Sequence, residues 1–375
     1  MRVDKTKWIN SNIVDSCDIQ LGTRIVKKQA EEGDFPVYGG GGVTFTTNTY
    51  NRENAILISR FALSKECTRF VSGKFYLNDS GLTLVPKSES KSIILDFLKW
   101  QIFSLNDKIY NLARGAAQKN LDMKRFPLLP ILIPTLFEQQ SIASELDAIQ
   151  TMIDGYKAQL EDLDTLAQSI FLDMFGDPVS NPKGWEITPM GQLGDFKNGL
   201  NYSKGEKGKV LKMIGVGDFG NIKSLSSFED IPSIEVEYIP QEYLLKNEDI
   251  VFVRSNGNKS LVGRCLEVYP NDTEVTFSGF CIRFRKSMRI LNKYLIALLT
   301  DIGFKKTHIL KSNGIGIQNI NQKLLGNLPV PVPPLALQQQ FAKKAEAIER
   351  QKELFRQQLA DAEQLMAERM QYYFS

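Results

Sequence analysis

The residues that could support catalysis are few, and their spacing does not fit common catalytic motifs. The chain has a single histidine, His308, which disfavours histidine-based acid–base chemistry and a three-histidine metal site. Asp79 together with Glu89-Ser90-Lys91 could form a nuclease site, but carboxylates beside a lysine are common on protein surfaces. We favour the surface interpretation for these residues.

Motifs for cofactor and nucleotide binding are also missing. A DNA amine methyltransferase needs a glycine-rich loop and an Asn/Asp-Pro-Pro-aromatic turn, which the nearest candidate, Asn181-Pro182-Lys183, does not supply. Neither Gly73-Lys74 nor residues 205–209 have the spacing of a phosphate-binding Walker A loop. We therefore predict a protein that has no catalytic activity and binds no cofactor.

The cysteines indicate the compartment. None of them forms a Cys-x-x-Cys pair, which predicts reduced structural thiols in a cytoplasm and argues against a disulfide framework or a zinc site. They are Cys17, Cys67, Cys265 and Cys281. No segment approaches the roughly 18 uncharged apolar residues of a membrane span, so we expect no membrane partner.

The chain repeats itself at a spacing of 199 residues. Residues 129–136 return as 328–335, and Gln139-Gln140 returns as Gln338-Gln339. Near the start the spacing falls to 177, where Trp8 and Gly22 match Trp185 and Gly199. The second copy therefore carries about twenty extra residues, which we place between residues 202 and 249. Two copies predict a duplicated protein with pseudo-two-fold symmetry.

Each copy has the same order of elements: a mixed region, a proline-rich joint and a long helix. Apolar runs predict strands and helical periodicity predicts two shorter helices, which gives an α+β fold class. Prolines at the joints cannot lie inside a helix or a central strand and mark extended segments. The predicted strands are 55–59, 81–85, 249–253 and 279–284, and the helices are 93–103 and 291–301. The predicted domains are 1–135, 136–180, 181–334 and 335–375.

Two long helices should pack against each other. From residue 142 to 174 apolar residues alternate in steps of four and three, the seam of a coiled coil. A second seam runs from 341 to 373, interrupted by Lys352 and Arg369, where we expect local splaying. A helix of about 39 residues is roughly 58 Å long, so antiparallel pairing would place the two mixed regions at opposite ends of a rod. The alternative is two ordinary core helices.

Charge is distributed unevenly along the chain. Residues 136–175 hold eight acidic residues and one lysine, whereas residues 335–375 are balanced. Since the whole chain has a net charge of +3, the two mixed regions share an excess of ten positive charges. Such an excess suits a surface that follows nucleic-acid phosphates.

The order of motifs, given twice, resembles the specificity subunit of type I restriction-modification systems. The likeness covers nearly the whole chain and includes the Leu-Pro-x-x-x-Pro joint, the following Gln-Gln and the long helix. It also includes Phe35-Pro36-Val37-Tyr38-Gly39-Gly40-Gly41-Gly42 and Ile56-Leu57-Ile58-Ser59-Arg60. The second copy departs from it, with no Tyr-Gly-Gly stretch and with Leu337 where the first copy has Glu138. This difference implies that the two recognition domains bind different half-sites.

The resemblance implies a non-catalytic protein whose two target-recognition domains each bind half of a bipartite sequence in double-stranded DNA. The helices would fix the gap between the halves and dock two methyltransferase subunits. Those subunits would methylate adenine with S-adenosylmethionine that they bind themselves. Motor-nuclease subunits would join the assembly to cut unmethylated DNA.

Base recognition favours Arg, Asn, Gln and Lys on protruding loops. The candidate loops are residues 38–47, 60–69 and 114–120 in the first copy, and 201–209, 254–259 and 311–319 in the second. The candidate DNA-binding residues are Tyr38, Arg60, Lys65, Arg69, Arg114, Lys119, Lys204, Lys207, Arg254, Asn256, Asn258, Lys259, Lys311 and Asn313. The alternative for these loops is an ordinary polar turn, and for Tyr38 a place in the core. Residues 115–120 and 314–319 are shared by both copies, which favours phosphate contact or loop shape over base recognition.

Gln139, Gln140, Gln338 and Gln339 are the candidate partner-binding residues. They could pack at the joint or contact the methyltransferase, or simply be polar residues at a helix start. A different class of function, a coiled-coil scaffold whose end domains bind proteins, stays open at this stage. So does an enzyme activity of the chain's own.

Overall fold

The computed structural model describes residues 4–87, 92–115, 118–202, 207–220, 222–258, 261–287, 290–310 and 319–375. Lys204, Lys259, Lys311 and Asn313, four of the candidate DNA-binding residues, lie outside these ranges. The chain divides into two compact units, the first formed by Met1–Ala158 with Arg356–Ser375 and the second by Gln159–Phe355. Each unit combines one mixed region with half of each long helix. The contacts group each helix half with the mixed region beside it. The predicted division into two mixed domains and two separate helices stays a prediction.

The first unit contains a six-stranded sheet and a two-stranded ribbon. The sheet has the order β2-β7-β5-β6-β3-β4, and the ribbon pairs β1 with β8. In chain order the elements are β1 (Ile9–Asn12), α1 (Ile13–Ser16), β2 (Cys17–Leu21), β3 (Phe35–Gly39), β4 (Gly42–Thr47), β5 (Arg52–Ser59), β6 (Thr68–Leu77), β7 (Gly81–Pro86), α2 (Leu95–Ser104), α3 (Asn106–Asn111) and β8 (Pro130–Ile133).

The second unit contains a five-stranded sheet of order β10-β17-β14-β15-β12, a three-stranded sheet of order β13-β11-β16 and a ribbon of β9 and β18. The long helix α4 (Leu136–Phe175) precedes these strands and the long helix α8 (Leu335–Phe374) follows them. Between them lie β9 (Glu186–Pro189), β10 (Gly194–Asn198), β11 (Lys209–Ile214), β12 (Ser224–Leu225), β13 (Ser233–Val236), β14 (Asp249–Val253), β15 (Cys265–Val268), β16 (Val275–Phe277), β17 (Cys281–Lys286), α5 (Asn292–Thr300), α6 (Ile302–Phe304), α7 (Gln322–Gly326) and β18 (Pro329–Val332).

The internal repeat is present in the strand order. The series β2-β7-β5-β6 of the first unit corresponds to β10-β17-β14-β15 of the second, with antiparallel pairing throughout. The region where the extra residues of the second copy were predicted, 202–249, contains β11, β12 and β13. β11 pairs antiparallel with β13 and parallel with β16, as β3 pairs with β4 and with the end of β6. The second unit therefore keeps the common strands and adds β12 beside β15 at the edge of the five-stranded sheet.

The central strand of each sheet is apolar on both faces. In β5, Ile56 and Ile58 face one core cluster, while Ala55 and Leu57 face another. The same alternation holds in β14, with its residues divided between two clusters. Because successive side chains point to opposite faces, a continuous apolar run is what a strand covered on both sides requires.

The prolines of the two joints lie in two-stranded ribbons. Pro130 is the first residue of β8, and Pro329 and Pro331 lie in β18. A ribbon strand has an unpaired edge, so a missing N–H can be tolerated there. The predicted extended joints are confirmed.

Within each unit the two long helices contact each other and run in opposite directions. In the first unit Ile149 and Ile153 of α4 pack with Ala362 of α8. In the second unit Phe171 packs against Phe341 with ring centroids 5.7 Å apart. Each helix has 40 residues, or about 60 Å at 1.5 Å per residue. The predicted seam positions from Ile142 to Met174 are all buried or half-buried.

The helices do not splay at the two charged seam positions, so that expectation was wrong. Lys352 is buried, and its ammonium group lies 2.9 Å from the Asp164 carboxylate across the helix pair in the second unit. In the first unit the Arg369 guanidinium donates to the Glu145 carboxylate, which also accepts from the Tyr373 hydroxyl. The charges stay in the seam because each finds an opposite charge on the other helix.

Candidate nucleic-acid interface

The three candidate loops of the first unit meet around Gly40. The Ser59 hydroxyl donates to the Gly40 carbonyl at 2.6 Å, and Arg69 Nη2 donates to the same oxygen at 2.9 Å. The loop 114–120 joins them, because the Leu63 N–H donates to the Lys119 carbonyl at 2.9 Å. Loops far apart in the sequence therefore form one surface.

Arg60, at the end of β5, forms hydrogen bonds to two other segments of this surface. Its N–H donates to the Ser80 carbonyl at 2.9 Å, and its own carbonyl accepts from the Leu121 N–H at 2.8 Å. Its guanidinium Nη1 donates to the Asp79 carbonyl at 2.9 Å. The β6–β7 turn at residues 78–80 is thus held against the end of β5.

Arg254, at the end of β14, has the equivalent place in the second unit. Its N–H donates to the Phe280 carbonyl at 2.8 Å, and its carbonyl accepts from the Ile320 N–H at 2.8 Å. Nη1 lies 3.3 Å from the Gly279 carbonyl. The same three kinds of contact occur at Arg60, so the repeat extends to the hydrogen bonds of the loop cluster.

Several other candidates have partners inside the protein. The Tyr38 ring packs edge-to-face against Phe75, with ring centroids 5.4 Å apart. This agrees with the alternative prediction for Tyr38, a place in the core. The Lys119 ammonium group lies 4.2 Å from the Tyr110 ring centre and 2.8 Å from its hydroxyl. Arg114 forms an ion pair with Asp122 at 2.5 Å, yet most of its side chain is exposed.

The remaining described candidates lie on the surface. Lys65, Lys207 and Asn258 are exposed, and Asn256 is half-buried. The Asn256 side-chain oxygen accepts from the Asn258 N–H at 2.7 Å, an Asx-type turn that shapes the loop. Their contacts with DNA stay a prediction.

The two turns next to the arginines were missed from the sequence. Residues 78–80 connect β6 to β7, and residues 278–280 connect β16 to β17. A Ser-Gly dipeptide occurs in each copy, Ser80-Gly81 and Ser278-Gly279, and could have indicated these turns. In the second turn a Cβ on Gly279 would lie 2.0 Å from the Asn201 side-chain oxygen, so a larger residue there would require the Asn201 side chain to move.

Gln139 and Gln338 are buried at the joints, which agrees with the first alternative given for them, packing at the joint. The Gln139 Oε1 accepts from the Ile94 N–H at 2.9 Å, and its Nε2 donates to the carbonyls of Ser92 and Pro134. Gln338 Oε1 accepts from the Leu291 N–H at 2.8 Å. Both side chains are fully enclosed, so packing at the joint is their role. Gln140 and Gln339, one residue further on, are exposed.

The four cysteines are buried and unpaired. Burial raises the pKa of the Cys67 thiol to about 11 and those of Cys17, Cys265 and Cys281 to about 12. Across the described ranges, no cluster of three or more His, Cys, Asp or Glu side chains is placed to hold a metal ion. In the same part of the chain, no helix combines the length and apolar character of a membrane span.

A family model for the type I restriction modification DNA specificity domain matches residues 5–163 and, again, residues 182–364. The chain belongs to this family. Each match of the specificity-domain model covers one copy of the repeat, so the duplicated order of motifs in the sequence has a family counterpart twice over.

Specificity subunits are also among its relatives. It is 28% identical over 276 residues to the StySPI specificity subunit of Salmonella potsdam, which covers 69% of this chain and 58% of that one. It is 26% identical over 309 residues to the MjaVIII specificity subunit of Methanocaldococcus jannaschii, covering 74% and 70%. The matched region is thus less than two thirds of the length of the StySPI subunit.

Solved structures share the fold of this specificity chain. The type I restriction-modification S subunit from M. genitalium superposes with a TM-score of 0.63 at 17% identity, covering 100% of this chain and 98% of that one. A structure described for complex assembly and conformational transition of the type I R-M system gives 0.53 at 16% identity, covering 98% and 97%. At these identities the likeness concerns the fold.

Proposed function

We propose that this chain is the DNA-recognition subunit of a type I restriction-modification system, and that each unit binds one half of a bipartite target. The observation that carries the proposal is the equivalence of Arg60 and Arg254. In both units a strand-end arginine holds a β-turn and a second loop together, and polar side chains surround it. The unlike sequences of the two loop clusters fit two different half-sites.

The helices α4 and α8 form the antiparallel coiled-coil spacer between the half-site readers. Support comes from the contacts inside each unit, where apolar seam residues of one helix meet those of the other. Helix length then sets the gap in the DNA target. The acidic character of α4 would keep it away from the phosphates.

Docking of two methyltransferase subunits takes place at the starts of the long helices. Phe137, in the first turn of α4, is largely exposed, and Leu136 and Leu335 are also exposed apolar residues. Gln140 and Gln339 lie on the surface beside them. The chain itself performs no chemistry and binds no cofactor, and motor-nuclease subunits join through the same assembly in the cytoplasm.

The test of docking is co-purification of a tagged methyltransferase subunit with variants of this chain. Phe137→Ala together with Gln140→Ala should weaken the complex, whereas Leu354→Ala, an exposed apolar residue further along α8, should not. Equal recovery of all variants would contradict the proposed docking surface.

The test of DNA recognition is selection from a random DNA pool with the complex of this chain and its methyltransferase. Two short motifs at one fixed separation are expected. A chain whose residues 183–328 come from another specificity subunit should change only one of the two motifs. If the wild-type complex enriches no sequence, DNA recognition is refuted and a protein-binding scaffold becomes the better account.

A further inference from the structure

Each unit presents one exposed phenylalanine beside its strand-end arginine. Phe280 is 62% exposed and lies in the turn that Arg254 holds, while Phe61 follows Arg60 directly and is 39% exposed. The Phe280 side chain lies mostly in solvent and so contributes little to folding, since it buries little area. Phe280 has the place of Ser80, and Phe61 that of Ser255, so each unit brings one ring to its strand-end arginine from a different loop. A ring in each loop cluster, beside many hydrogen-bond donors, indicates a role in binding.

The backbone that carries Phe280 is fixed from three sides. The Phe280 carbonyl accepts from the Arg254 N–H at 2.8 Å, and the Gly279 N–H donates to the Leu200 carbonyl at 2.9 Å. The Phe280 N–H lies 3.3 Å from the Ser278 hydroxyl oxygen. The ring is therefore presented by a rigid turn, which limits how far it can move toward a ligand.

The backbone next to Phe61 is also fixed, but by other contacts than those at Phe280. Ala62 has a φ of 49°, a left-handed conformation that is rare for a residue with a side chain. The neighbouring Leu63 N–H donates to the Lys119 carbonyl at 2.9 Å, which fixes this conformation. The Arg60 guanidinium lies 4.9 Å from the Phe61 ring centre, so one part of the ring is covered by a cation and another remains open.

The chemistry of the DNA surface narrows what these rings can contact. In the major groove the apolar group is the C5-methyl of thymine, whereas hydrogen-bond donors and acceptors fill the rest of each base edge. Insertion between stacked bases requires unstacking, which costs free energy, whereas contact with a methyl group on the base edge does not. We propose that Phe61 and Phe280 each contact the methyl group of a thymine, one in each half-site. This inference rests on the proposed DNA recognition and names the bases that it involves.

The test removes the thymine methyl group and the phenylalanine ring in separate experiments. Affinities are measured for the complex with its methyltransferase on the selected duplex, in which each thymine is replaced in turn by deoxyuridine, which lacks only the methyl group. Loss of one buried methyl contact should weaken wild-type binding about fourfold at one thymine in each half-site. The complex with Phe280→Ala should show no such loss at the thymine of one half-site, and Phe61→Ala none at that of the other. Phe280→Leu, which keeps an apolar contact, should retain part of it.

Matched controls are Leu354→Ala, at 60% exposure, and Met152→Ala, at 46%. Both are apolar residues on the long helices, and both variants should keep the full deoxyuridine effect. If the wild-type complex selects a bipartite motif but no thymine methyl is coupled to either ring, this inference is overturned and DNA recognition stands. A half-site without an A·T pair overturns it for that half-site. If the wild-type complex selects no motif, both proposals fail.

Discussion

The side-chain oxygen of Gln139 accepts a hydrogen bond from the backbone N–H of Ile94 at 2.9 Å, across 45 positions of the chain. Gln338 makes the same bond to the Leu291 N–H at 2.8 Å, across 47 positions. Each glutamine lies in the first turn of a long helix. Its side chain accepts a hydrogen bond from the residue just before a shorter helix, α2 or α5. The first turn of each long helix is thereby bonded to the mixed region that precedes it.

Replacing either buried glutamine should destabilise its unit. Gln139→Ala leaves the Ile94 N–H and the Ser92 and Pro134 carbonyls without their partner, and a buried polar group without a hydrogen bond costs about 1–3 kcal/mol. Gln338→Ala should act similarly. Denaturant unfolding followed by circular dichroism measures the change. Gln140→Ala is the control and should lie within about 0.5 kcal/mol of wild type. Equal stabilities for Gln139→Ala and Gln140→Ala would contradict this account.

Replacing the buried seam lysine by an apolar residue should be tolerated. Lys352→Met removes one partner of the ion pair with Asp164 and restores an apolar seam. Because the Asp164 side chain is 55% exposed, water can solvate its carboxylate in the variant, so stability should change by less than about 1 kcal/mol. Lys157→Met, at an exposed lysine paired with Glu363, should change stability by less than about 0.5 kcal/mol. The midpoint of thermal unfolding is the measurement. A clear loss of stability in Lys352→Met would mean that the ion pair contributes more than its desolvation costs.

Acid should weaken the first unit through Glu145. The hydrogen bond from Arg369 holds the pKa of this carboxyl below its ordinary value of 4.5, and the Tyr373 hydroxyl adds to the effect. A depressed folded-state pKa gives stability that is present above the unfolded-state pKa and is lost as pH falls through the folded-state pKa. The difference in melting temperature between wild type and Glu145→Gln should therefore be full near about pH 6 and shrink below about pH 4. Glu161→Gln, at an exposed glutamate of α4, should show no comparable dependence, and a constant difference for Glu145→Gln would refute the assignment.

The cysteines should resist alkylation in the folded protein. All four are buried, and pKa values raised to about 11 or 12 by burial leave little thiolate at mildly alkaline pH. Mass spectrometry after iodoacetamide treatment should show negligible modification without denaturant and four modified thiols in guanidinium chloride. Rapid modification of any one cysteine in the native protein would show that its surroundings open to solvent.

Most of the architecture follows from local pattern. The 4–3 spacing of apolar residues predicted the long helices and their buried faces, because a helix periodicity places those side chains on one stripe. The prolines predicted the extended joints, since proline lacks an N–H and restricts the backbone. The apolar runs at 55–59 and 249–253 predicted the central strands, and the repeat predicted two similar domains, which the two family matches bear out.

Only the tertiary structure decided which residues the individual polar and aromatic side chains contact. Gln139 and Gln140 are identical neighbours in sequence, yet one is enclosed and the other exposed, because residues 92–94 approach only one side of the helix. Lys352 looked like an interruption until Asp164 was brought opposite it. Phe280 looked like part of a buried strand, but the strand begins one residue later and leaves its ring in solvent. Local spacing determines which element forms, whereas burial and pairing depend on residues that are far away in the chain and become neighbours only on folding.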